Sequence, residues 1–116
     1  MRFATIAVVT LLPALAATPA GAAVPNSITA LLGPTLGYLL AQSDLCQWDL
    51  SGKIETTYRR GFQTIGMTAA QQATAWAQAA TRRKDLADLP AEAKTRMKAD
   101  TCAQADRARV ERDLAD

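Results

Sequence analysis

A chain of 116 residues with 13 basic and 11 acidic side chains carries a formal charge of only +2 and contains no histidine. That length supports one small core, and the near-balance of charge argues against a dedicated nucleic-acid binder. The missing imidazole removes Ser/His and Cys/His nucleophile pairs, the usual proton shuttle and the commonest metal ligand.

Met1 and Arg2 are followed by an uncharged run from Phe3 to Leu40. A positive start, the apolar centre ATIAVVTLLPALAA interrupted by Pro13, and small residues at Ala20, Gly21, Ala22 and Ala23 are the three parts of a secretory signal peptide. Cleavage after either Ala22 or Ala23 satisfies the small-x-small rule. Phe3 to Val24 is also long enough to span a bilayer, but its last third is Ala, Thr, Pro and Gly, and no basic cluster follows to hold it there. The expectation is therefore a cleaved leader at 1–23 and a single helical domain at 24–116 in the periplasm or outside the cell, with no stable transmembrane segment after cleavage. Ile28 to Leu40, interrupted by Gly33 and Pro34, reads as a buried helix.

In chain order, Asn26 or Ser27 can cap a helix from Ile28. Ile28, Leu32, Leu36 and Leu39 repeat at helical spacing, widened by Leu31 and Leu40. Pro34 has no amide hydrogen for the carbonyl of residue 30, which predicts a short turn before it and a longer helix after it, running to about Cys46 or Trp48. Asp49, Ser51 and Gly52 disfavour a helix interior, so a second helix is placed from about Ser51 to Ile65, with Gly66 as its left-handed cap. Cys46, Leu50, Ile54, Tyr58, Phe62 and Ile65 form one apolar face along the stretch from Cys46 to Gly66. Thr68 and Gln71 form a capping box that opens an alanine-rich third helix from Ala69 to about Leu86, whose expected face is Ala69, Ala73, Trp76 and Ala80. Pro90 opens a fourth helix. Its apolar positions change face midway, which predicts a kink near Asp100.

Two cysteines in an exported chain pair most simply with each other. Cys46 and Cys102 lie 56 positions apart, and in the chain-entropy model such a crosslink destabilises the unfolded state by about 4 kcal/mol. There is no C-x-x-C spacing to suggest a redox pair. The fold expected is all-α, a small bundle of three to four helices stapled by a Cys46–Cys102 disulfide. In architecture it resembles the small periplasmic acid-stress chaperones, which are short exported helical chains with two cysteines joined across most of the chain. That resemblance carries over no functional residue.

Candidates for chemistry are few. The acidic residues show no calcium-loop spacing, and Asp85 with Asp88 reads as a helix end. No catalytic, cofactor or metal residue is assigned, so the chain is read as non-enzymatic and without a cofactor. Trp48, Tyr58, Phe62 and Trp76 have the spacing of a bundle core or of a ligand groove between helices. Residues 53 to 98 hold an excess of basic side chains, and Arg59, Arg60, Arg82, Arg83 and Lys84 are the candidate surface for an anionic partner. The function expected is binding of an envelope protein or an anionic envelope component. The alternative is a stress chaperone that opens its apolar faces in acid.

Overall fold

The computed structural model describes residues 24–115. The expected leader at 1–23 and its cleavage site lie outside them. Five helices follow one another: α1 (Asn26–Cys46), α2 (Ser51–Thr64), α3 (Ala69–Ala87), α4 (Ala91–Thr101) and α5 (Gln104–Ala115). The all-α class and the Cys46–Cys102 disulfide, with Cα atoms 5.3 Å apart, agree with the sequence reading. The number of helices does not: there are five among the described residues, not three to four. The expected kink near Asp100 is a complete break at Cys102–Ala103, because Cys102 is bonded to α1 and the Thr101 carbonyl accepts from the buried Gln42 amide at 2.8 Å. With its last carbonyls turned to α1, α4 stops there, and α5 begins with Asp106 and Arg107 donating to the Ala103 carbonyl.

α1 is one helix straight through Pro34. Gly33 helps to permit this, since a residue before proline is kept out of the helical region partly by its own Cβ, which glycine lacks. Its start also differs from expectation. Pro25, not Asn26 or Ser27, occupies the cap position, and its carbonyl accepts from Ile28 and Thr29. The Asn26 side chain instead accepts from the Gln71 amide, which also donates to the Val24 carbonyl, so the start of α1 is fastened to the start of α3.

That contact sets the register of a parallel helix pair. A Cβ added to Gly33 would meet the Ala75 carbonyl oxygen at 3.0 Å, and one added to Gly37 would meet the Ala79 carbonyl oxygen at 2.6 Å. Ala41, one turn further on, is buried as well. Small residues four apart on α1 thus lie against buried Ala75 and Ala79 on α3, and the two backbones approach closely. This corrects the expected α3 face: Ala69, Ala73 and Ala80 are exposed, and Trp76 is only half-buried at the edge of the contact.

α2 runs back from the end of α1 to the start of α3. Gln47 and Asp49 both have positive φ, and the Leu50 amide donates to the buried Ser43 hydroxyl at 2.9 Å, which closes the turn at the expected place. At the other end Gly66 has φ +83°, its amide donates to Gln63, and that of Met67 donates to Phe62, the paired bonds of a Schellman cap. The Thr68–Gln71 capping box is present with both bonds at 3.0 Å. Leu36, Leu40, Trp48, Leu50, Ile54, Phe62 and Met67 make the core, joined by Val110 and Leu114 of α5. α4 buries no residue.

Candidate functional site: an open groove between α1, α2 and α5

α1 has more apolar surface than one neighbour can cover. Its small-residue stripe is taken by α3, which leaves a second stripe of large side chains beside it. Ile28 and Leu31 remain 40% and 65% exposed, and Leu32 and Leu39 are half-buried. Opposite Leu32 and Leu39 stand Tyr58, Phe62 and Ile65 of α2, and Val110 and Leu114 of α5. Between the three helices lies an open groove of about 790 Å³, within the range of small-molecule sites. Gly61 forms part of its wall, and a Cβ there would meet no atom within 4 Å.

The charged groups sit on one rim. Asp100 comes from the end of α4, and Asp106, Arg109 and Asp113 from α5. Arg109 reaches Asp106 at 3.5 Å, while neither Asp100 nor Asp113 has an ion-pair partner among the described residues. Burial, and secondarily the charge of Asp113, push the Tyr58 phenol above its ordinary range. Both effects disfavour the phenolate, so this hydroxyl keeps its proton and is not a general base.

The aromatic residues divide. Tyr58 and Phe62 pack edge to face at 5.9 Å, and Phe62 and Trp76 at 5.8 Å. Tyr58 and Phe62 line the groove, Trp48 is core, and Trp76 lies toward the other side, where the Arg59 guanidinium sits 5.3 Å from the centre of its ring. Both readings of these residues therefore apply to Phe62, which is core and groove floor at once.

The five basic candidates are distributed over the α2–α3 side and beyond, away from the groove. Arg83 makes a two-pronged bond to Asp44, at 2.6 and 2.7 Å, and that hydrogen bond raises its pKa further. Lys84 bonds Asp88 at 2.6 Å across the last turn of α3, raising the ammonium pKa and lowering that of the carboxyl. Arg60 and Arg82 are exposed. Much of the positive charge is thus held against acidic or aromatic neighbours. Asp85 and Asp88 lie at the end of α3, and no group of acidic or cysteine side chains could hold a metal ion among the described residues.

Leu32, Leu39, Ile65, Val110, Asp100 and Asp113 were not singled out as a site by sequence reasoning. The usable signal was on α1: two adjacent stripes, one small and one large, imply two different neighbours for a single helix. No described helix is long and apolar enough to cross a membrane. No family model, curated protein or solved structure matches the chain.

Proposed function

We propose that this is an exported, non-enzymatic binding protein of the bacterial envelope, and that its working surface is the groove between α1, α2 and α5. The observation that carries this reading is the open groove, whose apolar walls leave Leu32, Leu39 and Tyr58 half-buried and Ile65 47% exposed although the chain has only a small core to spare. Leaving such side chains uncovered forgoes about 25 cal/mol for each Å² of apolar surface. An apolar ligand, or an apolar segment of another envelope protein, would recover that energy. The composition of residues 1–23 supports export.

Gly61 provides the test. Gly61→Leu places an apolar side chain in the groove with no atom to displace, and at an exposed helical position it should not unfold α2. The uncharged probe N-phenyl-1-naphthylamine should become fluorescent with the wild-type protein and lose at least tenfold in affinity for the variant. Equal binding to both would sink the groove as the working surface.

A second reading, an acid-opened chaperone, has its own support in α4. That helix buries no residue and is tied to α1 by the disulfide and the Gln42 bond, so it can detach without dispersing the chain.

A further inference from the structure

We propose that the groove selects amphiphilic cations, an apolar body carrying an ammonium or similar head, with Asp100 and Asp113 as the residues that read the charge. The inference rests on the groove being a binding site and adds the chemistry of its ligand. Its floor is apolar, so the ligand's body is hydrocarbon or aromatic. Its charged lining is three aspartates against one arginine, all on one rim. Arg109 is already held by Asp106 at 3.5 Å, which leaves the carboxylates of Asp100 and Asp113 facing the opening with no cation of their own. A cationic head placed there gains two carboxylates, both exposed and open to solvent screening, and an anionic head meets them as repulsion. Tyr38 and Tyr58 line the same groove, and aromatic rings in a lining favour a quaternary ammonium. Tyr58 cannot oppose this as a phenolate, since burial and Asp113 both keep it protonated. The selectivity is opposite in sign to that expected from the basic residues of α2 and α3, which lie elsewhere.

The experiment uses the disulfide-bonded protein loaded with N-phenyl-1-naphthylamine, and displaces the probe with three ten-carbon chains below their micelle-forming concentrations: decyltrimethylammonium, 1-decanol and decanoate. The expected order is cation, then alcohol, then anion, with the cation about tenfold tighter than decanoate at low salt and the gap shrinking in 0.5 M salt. The double variant Asp100→Asn with Asp113→Asn should weaken the cation about fivefold and leave decanol unchanged. Arg109→Gln should strengthen the cation, because Asp106 is then released. If decanol displaces the probe but cation and anion compete equally, the selectivity is wrong and the groove survives as an apolar site. A cation preference that persists in the double variant also overturns the assignment, since the charge is then read elsewhere. If neither the probe nor decanol binds, both the selectivity and the groove reading fall together.

Discussion

Two glycines of similar appearance in the sequence have opposite roles. Gly37 lies where α1 meets α3, and an added Cβ would be 2.6 Å from the Ala79 carbonyl oxygen and 3.0 Å from the Ala79 Cα. Both are backbone atoms of a packed helix and cannot turn aside. Gly37→Ala should therefore cost about 1 to 3 kcal/mol, measured as a lower urea midpoint. Gly61, in the interior of α2, meets nothing, so Gly61→Ala should stabilise by about 0.5 to 1 kcal/mol through helix propensity alone, read as a higher midpoint. If both variants shift in the same direction, the α1–α3 approach is not as close as described. Tyr58 gives a second prediction at this scale. Its phenol is raised first by burial and then by Asp113, so Asp113→Asn should bring it part of the way back toward 10, with burial keeping the remainder. Because the folded value lies above the unfolded one, Tyr58 contributes stability that is fully present below pH 10 and is lost as the pH rises through the folded value. NMR titration of ring-labelled tyrosine in wild type and variant reads both effects, and an unmoved Tyr58 would place Asp113 away from the groove.

Among the elements, what could be read from the sequence was local chemistry, and what could not was contact between helices. The Asp49 break, the Gly66 cap and the Thr68–Gln71 box are each completed within a few residues, so their side chains announce them. Apolar periodicity gives weight to large side chains: on α1 it picked Leu36 and Leu40, which are buried, together with Ile28 and Leu31, which are exposed, and on α3 it took Trp76 as the anchor. The pair is in fact made by Gly33, Gly37, Ala75 and Ala79, which contribute closeness rather than bulk. The groove was hidden for the same reason: its walls exist only once α3 has taken the small stripe. α4 ends at Thr101 because of Gln42 and Cys46, both far away in the chain. That dependence predicts the order in which the elements come apart. With no buried residue, α4 is held largely by the crosslink, so reduction of the disulfide should speed hydrogen exchange in α4 and at the start of α5 while α1 and α3 stay protected. The reduced protein should also lose about 4 kcal/mol of global stability by denaturant titration. Uniform exchange across all five helices after reduction would mean that α4 is not a separate unit.

At the scale of the molecule the remaining variable is charge. The 11 acidic side chains of the chain nearly balance 13 basic ones, and full protonation leaves the basic ones unopposed. Asp88 resists this. Lys84 holds Asp88 below its ordinary range, so their contribution is present above the unfolded carboxyl value near 3.8 and disappears only as the pH falls through the lower folded one. Near pH 2 to 3, then, self-repulsion acts on a thin core whose α1–α3 contact is made of glycine and alanine, while the disulfide still joins α1 to the last two helices. The expected state keeps helical far-UV circular dichroism, loses fixed near-UV signal from Trp48 and Trp76, binds an apolar dye, and remains compact only when oxidised. If acid opening serves a chaperone, that state should suppress light scattering by an aggregating client at pH 2 to 3, and the Cys46→Ser variant, which spreads its apolar surface over a longer open chain, should do so less well. Failure of a molar excess of oxidised protein to reduce the scattering would eliminate the chaperone reading. It would leave the proposed groove untouched, because the groove requires α1, α2 and α5 to be assembled and the acid state requires them to have parted.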